Sequence, residues 1–211
     1  VDPMQDVGVI NLELVLADFE VVAKRLSTIV RDVKRGDKVA IAEELVLRKV
    51  EKVLEGGKLA SDAGLSEEEK FLIKSLSLLT LKPMLYVLNT SEANENVDFK
   101  APGLSVKIDT VFEKGFDDLI KKSYELLGLH TFLTTGEDET RAWTTPIGST
   151  APVAGMAIHT DFKEKFIRAE VIYWKDLIEA GSYANARSKG LVRTEGKEYI
   201  VKDGDVIEFL V

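Results

Sequence analysis

The sequence predicts an α+β protein in three parts: an N-terminal helical hairpin, a short α/β segment built on a parallel strand, and a C-terminal β-grasp unit. From Leu12 onward apolar residues recur at alternating steps of four and three, the spacing of a helix that buries one stripe. Residues 84–88 form a short, unbroken apolar run, as expected of a strand covered on both faces of a parallel sheet. From Leu129 onward strand-length runs take over, and two strands, a helix and further strands within one small domain's length suggest a β-grasp.

Element by element, the first helix carries its stripe on Leu12, Leu16, Phe19, Ala23, Leu26, Val30 and Val33. Gly36-Asp37 interrupts it, a second helix shows Val39, Ala42, Val46, Val50 and Val53, and Gly56-Gly57 ends that one. The pair reads as an antiparallel hairpin, with packing of the stripe onto a domain as the alternative. Ser66-Glu67-Glu68-Glu69 is a capping box that opens a third helix, expected to run through Phe71, Leu72, Ser75, Leu78 and Leu79 and to end before Pro83. The strand over 84–88 needs neighbours that this segment does not supply, so the remainder of a nucleotide-binding domain is expected outside the given sequence. A polar stretch over 93–98 leads to a run over 104–108 and a helix with Phe116, Leu119, Ile120, Tyr124 and Leu127. Strands are expected over 130–135, 140–145, 166–172 and 206–210, with one helix after Thr150 that has Pro152 near its first position. The domains are therefore drawn at 1–80, 81–128 and 129–211.

Composition narrows the function. The 211 residues are 45% apolar, enough for one large or two small domains with a proper core. The absence of cysteine excludes a disulfide framework or a thiolate metal site. A net charge of −8 argues against a surface broadly basic for nucleic acid, although a local patch can still bind one. No run of roughly eighteen apolar residues and no signal-peptide pattern occurs, which makes the cytoplasm the expected compartment.

Two segments identify a family. Ala157-Ile-His-Thr-Asp-Phe-Lys-Glu-Lys-Phe-Ile-Arg-Ala-Glu-Val171 and Tyr199-Ile-Val-Lys-Asp-Gly-Asp-Val-Ile-Glu-Phe209 together resemble the TGS domain that ends the YchF family of Obg-related P-loop ATPases and GTPases. Upstream, Lys82-Pro-Met-Leu-Tyr-Val-Leu-Asn-Thr-Ser-Glu92 is similar to that family's base-recognition strand, whose Asn-x-x-Glu replaces the Asn-Lys-x-Asp of ordinary GTPases. The resemblance implies a coiled-coil insertion before the base strand, a ribosome or other RNA assembly as partner, and ATP or GTP with Mg²⁺ as cofactor of the complete protein. The phosphate-binding half is missing, since the sequence holds no G-x-x-x-x-G-K-[ST] loop and no Asp-x-x-Gly after a strand. The chain alone is expected to be inactive and to bind nucleotide at most weakly. The family also has a longer, partly helical segment between the base strand and the last helix before the TGS domain.

Asn89 is the strongest site candidate, because it ends a strand whose carboxyl edge presents ligand-binding groups. Its amide carries a donor and an acceptor that match adenine N7 and N6. On the residues alone, a strand-to-loop turn is the competing role. The resemblance extends the base site to Thr90, which stands where GTPases have lysine, to Glu92, one methylene longer than the usual aspartate, and to Ser105 and Val106. The last two fall in Ser105-Val106-Lys107, which corresponds to a Ser-Ala-Lys motif whose backbone touches the base. The reading is a preference for ATP over GTP.

Arg31, Lys34, Arg35 and Lys38 cluster at the hairpin turn, either as a solvated tip or as phosphate contacts to RNA. Lys163, Lys165 and Arg168 alternate with Phe162 and Phe166, an RNA-facing hairpin or a core strand. His159 and Asp161 lack any nominated nucleophile and read as a helix-to-strand connection, and His130 is too distant to form a metal site with His159. The rival class is a non-enzymatic RNA- or protein-binding module. TGS domains also occur in threonyl-tRNA synthetases and in guanosine-tetraphosphate synthetase/hydrolases, so the base strand, not the TGS domain, discriminates.

Overall fold

A computed structural model describes residues 2–90, 99–136 and 138–211. The chain divides into two compact units, Val1–Lys122 and Ser123–Val211.

The first unit opens with helix α1, Pro3–Lys34, whose N-cap Asp2 accepts from the amides of Met4 and Gln5. Gly36, at φ +80°, turns the chain, and Asp37 caps α2, Lys38–Glu55, by accepting from the amides of Val39 and Ala40. The expected stripe on α1 is corrected. Val15, Asp18, Val22, Leu26 and Ile29 are the buried residues. Most of them pack with Val46, Leu47, Val50 and Leu54 of α2 and with Ala60, Ile73 and Leu78. Leu12 and Leu16 stand 51% and 55% exposed, and of the expected stripe Leu26 is buried and Phe19 packs half-buried against the same core. Two apolar stripes share α1 a fraction of a turn apart, and an acidic residue in the middle disguises the buried one.

That residue is Asp18. Its carboxylate accepts from the amides of Leu79 and Thr80, each at 2.7 Å, and from the Thr80 hydroxyl at 2.6 Å. Thr80 Oγ1 in turn accepts from the amide of Ala60 at 2.9 Å. The network explains a second correction. The capping box forms as expected, yet α3 covers only Glu67–Leu72, and 3₁₀ turns follow at Lys74–Leu76 and Leu79–Leu81. The α-helix gives out at Ile73, Ser77, at φ +50°, ends the 3₁₀ turn that follows, and Asp18 rather than a preceding carbonyl then satisfies the amides of Leu79 and Thr80.

Strand β1, Tyr86–Asn89, pairs in parallel with β2, Ser105–Ile108, from Tyr86↔Ser105 to Asn89↔Ile108. Among the described residues this sheet has two strands, and Val87 is 42% exposed. The expected burial on both faces is therefore not met among the described residues. Helix α4, Phe116–Leu126, follows β2.

The second unit is a five-stranded mixed sheet. Its elements are β3 Leu129–Thr135, β4 Thr140–Pro146, α5 Ala151–Gly155, α6 Asp161–Glu164, β5 Arg168–Tyr173, α7 Trp174–Ala180, α8 Tyr183–Ser188, β6 Arg193–Glu195 and β7 Asp205–Leu210. The strand order is β4-β3-β7-β5-β6, with β3 and β7 parallel and the other neighbours antiparallel. Period-two alternation feeds two separate cores. Phe132, Ala169, Val171 and Ile207 meet Ala151 and Ala154 of α5, whereas Ile172 and Val206 meet Ala180 and Ala186 of α7 and α8. Sequence periodicity does not announce α7, α8 or β6, because these elements are too short to show a stripe. Residues 162–168, open between an RNA-facing hairpin and a core strand, form the short α6 followed by the start of β5, with Phe166 in the core.

Candidate nucleotide-base site and basic surfaces

Asn89 ends β1 with an exposed side chain, at the carboxyl edge of the parallel pair. Its neighbour across the ladder is Ile108, whose carbonyl accepts both from the Thr90 amide at 2.7 Å and from the Thr90 hydroxyl at 2.9 Å. Thr90 therefore closes the strand edge, with its hydroxyl turned to the backbone. Glu92 lies outside the described residues. Ser105 pairs with Tyr86 at the opposite end of the register, and the Val106 side chain is buried, so the structure does not bring these two to Asn89.

What it brings there is the turn after β2, which sequence reasoning passed over. The Thr110 hydroxyl donates to Asn89 Oδ1 at 3.3 Å. Asp109 Oδ1 accepts from the amides of Val111 and Phe112, both at 2.9 Å, and the backbones of Asp109 and Lys114 bond to each other in both directions. Glu113 sits at φ +52°, a region that L-residues seldom occupy. Gly115, at φ +79°, lies so close to β2 that a Cβ there would stand 2.3 Å from the Lys107 carbonyl oxygen. Asp109 followed at short range by glycine was the available signal, since an Asx turn uses those residue types. Beside the turn, at the start of α4, is a polar pocket of about 330 Å³ lined by Glu113, Gly115, Phe116, Asp117, Asp118 and Lys121. Its carboxylates repel phosphate.

At the hairpin tip Arg31, Lys34, Arg35 and Lys38 are all exposed. Arg35 approaches Asp32 at 3.7 Å, and among the described residues the other three form no ion pair. Arg31 and Lys34 occupy the last turn of α1, where cations complement the helix dipole. Further along α1, Arg25 makes a two-pronged contact with the buried Glu43 of α2, at 2.6 and 2.7 Å.

In the second unit Lys163, Lys165 and Arg168 are exposed, while Phe162 and Phe166 pack edge-on against Phe209 with ring centroids 5.6 and 6.4 Å apart. Lys165 binds Asp161 at 2.5 Å, and that hydrogen bond holds the Asp161 carboxyl below its ordinary pKa. His159 Nδ1 accepts from the Asp161 amide at 3.2 Å, as a connection residue does. His130 is buried, and its Nε2 has no partner among the described residues. No group of three or more potential metal ligands occurs among the described residues.

Comparison with known proteins adds the relatives. A family model described as YchF-GTPase_C, protein of unknown function, matches residues 129–211. The ribosome-binding ATPase YchF of Bacillus subtilis strain 168 is 41% identical, over 99% of this chain and 67% of its own length. The chain belongs to the YchF family. The Escherichia coli O157:H7 YchF, also named a ribosome-binding ATPase, is 38% identical over 100% of this chain and 67% of its own. The solved structure of the Schizosaccharomyces pombe YchF GTPase superposes with a TM-score of 0.82 at 29% identity, covering 100% of this chain and 66% of that one. The chain thus spans about two thirds of the length of these YchF proteins. The Bacillus match runs over 244 positions although this chain has 211 residues, so that relative also carries residues within the match that this chain lacks.

Proposed function

We propose that this chain supplies the helical hairpin, the base-recognition strand and a C-terminal TGS domain of β-grasp type to a translation-associated, ribosome-binding P-loop ATPase that prefers ATP to GTP. The observation that carries the reading is the near-complete match to proteins named ribosome-binding ATPases. The strand order of the second unit supports the β-grasp, because the first and last strands lie parallel at the centre with an antiparallel strand on either side. The long α1 folded against α2 supports a coiled-coil role for the hairpin.

Within that function the residues of this chain act on the base. The Asn89 amide offers Nδ2–H to purine N7 and a lone pair of Oδ1 to the adenine amino group, a pairing that guanine O6 cannot make. A triphosphate with Mg²⁺ has no fitting donor set here, since the sequence contains no glycine-rich phosphate loop. Phosphoryl transfer therefore draws nothing from these residues beyond the placement of the base.

Two measurements test the reading. Purified ribosomes should carry the 211-residue chain down in cosedimentation, and the chain with Mg²⁺ and ATP or GTP should show no turnover. Failure to associate with ribosomes would sink the translational assignment. Turnover that persists after removal of contaminating ATPases would sink the assignment of the chemistry to residues elsewhere.

A further inference from the structure

Helices α2 and α3 turn an apolar face to solvent. Between them lies a groove of about 530 Å³, lined in the main by Ala42, Leu45, Val46, Lys49, Lys52 and Leu72. Leu45 is 64% exposed, and Phe71, on the adjoining rim, is 74% exposed, more than any other aromatic side chain among the described residues. A second hollow, lined by Glu67, Glu68, Phe71 and Leu72, lies beside the first, and Leu72 belongs to both. We propose that a second copy of this chain docks on this face about a two-fold axis, each copy seating its Phe71 ring in the groove between α2 and α3 of the other. The proposal is independent of the nucleotide and ribosome readings above.

Shape favours a second copy over a different partner. A two-fold interface sets one patch against itself, so whatever protrudes from the patch must meet a recess elsewhere on it. Phe71 and the groove are such a pair on one face, with the shared Leu72 between them where the axis passes. Burying Phe71 and Leu45 takes apolar surface out of water, which drives the association.

Charge is self-complementary in the same sense. The α2 rim carries Arg48, Lys49 and Lys52, and the α3 rim carries Glu67, Glu68 and Glu69, so the two-fold lays each rim over its opposite. Most of these charges are already paired within one copy. Arg48 bonds Glu51 at 2.9 Å and approaches Glu44 at 3.5 Å, Lys70 holds Glu67 at 2.7 Å, and Lys49 bridges to Glu69. Among the described residues Lys52 and Glu68 form no ion pair, which leaves one charge on each rim for the other copy. The Ser66 hydroxyl holds the Glu68 carboxylate at 2.8 Å. The groove is also formed before binding, because the Lys49–Glu69 bridge ties α2 to α3 and Val46 on the groove wall belongs to the buried core. Two short helices offer less than a standard interface of roughly 800 Å² a side, so the dimer is expected to dissociate in the micromolar range.

Sedimentation equilibrium of the 211-residue chain tests this. The weight-average mass should climb from that of one chain towards that of two as concentration rises. Phe71→Ala should weaken the dimer about thirtyfold, the scale of a hot-spot aromatic, with an unchanged circular dichroism spectrum. Leu16→Ala, on the exposed stripe of α1, should leave the dimer as it is. Lys52→Glu and Glu68→Lys should each weaken self-association, since either puts like charges together twice. An equimolar mixture of those two variants should associate more tightly than either alone, because only the mixed dimer restores both opposite pairs. A mass of one chain at every concentration would overturn the proposal and leave the face to a different protein. Self-association that survives Phe71→Ala, or a mixture no tighter than its components, would overturn it as well.

Discussion

Two carboxylates make the sharpest statements at the scale of single residues. Asp18 is buried in a helix seam and receives hydrogen bonds from the two backbone amides and the one hydroxyl that close the segment leading to β1. Asparagine has the same shape but presents an NH₂ group to donors, so Asp18→Asn should destabilise the first unit by on the order of 3 kcal/mol. Urea unfolding followed by circular dichroism measures it, and a loss below roughly 0.5 kcal/mol would show that the network is ornamental. Asp205 plays the corresponding part in the second unit, accepting from the Tyr199 hydroxyl at 2.7 Å and from the Lys202 amide at 2.9 Å, with Arg193 nearby. Burial first, and then the bond to Asp205, push the Tyr199 phenol above its ordinary pKa. A raised folded pKa means that the contribution is complete below the unfolded value, roughly pH 10, and is lost as pH climbs above it. The melting temperature should therefore fall in that alkaline range, and Tyr199→Phe should remove this component. Parallel alkaline curves for the two proteins would refute it.

At the scale of elements, α1 carries two apolar stripes, and the structure uses the one that contains an aspartate. Ile29→Ala on the buried stripe should cost about 2–5 kcal/mol, whereas Leu16→Ala on the exposed stripe should stay within roughly 0.5 kcal/mol. Thermal melts of the two variants of the 211-residue chain decide it, and equal losses would place Leu16 in the seam after all. The existence of both hairpin helices was legible, because the Gly36-Asp37 break and the Asp37 cap are local chemistry. Which face of α1 is buried was not, because that depends on α2 and on the amides of Leu79 and Thr80, sixty or so positions downstream. The third helix teaches the same point. Its capping box is a local device and forms as expected, but the segment expected to carry it on to Leu79 turns to 3₁₀ geometry, and its last amides bond to a distant helix.

At the scale of the whole molecule, the basic tip of the hairpin is the feature with a measurable consequence. Arg31, Lys34, Arg35 and Lys38 project from a helix pair whose core lies elsewhere, so their neutralisation should leave the fold intact. Changing all four to glutamine should weaken ribosome association and flatten its salt dependence, by roughly 0.7–0.9 of log–log slope for each RNA phosphate that is no longer neutralised. An unchanged affinity and slope would mark the tip as an ordinary solvated helix end.

The sequence by itself determined the parts whose cause is local. Caps, glycine turns, a helical apolar stripe and short strand-length runs located the hairpin, the strand that ends in Asn89, and four of the five strands in the second unit. Asn89 could be singled out because strand ends and amide chemistry are both readable in a short window. Tertiary structure decided the rest: which stripe of α1 is buried, where α3 stops, and which residues stand next to Asn89. Ser105 and Val106 were reasonable candidates by motif, yet parallel pairing puts residue against residue, and the register that sets Tyr86 beside Ser105 delivers Thr110 to Asn89 instead. Register is a property of two strands and of the chain between them, so neither strand's sequence contains it.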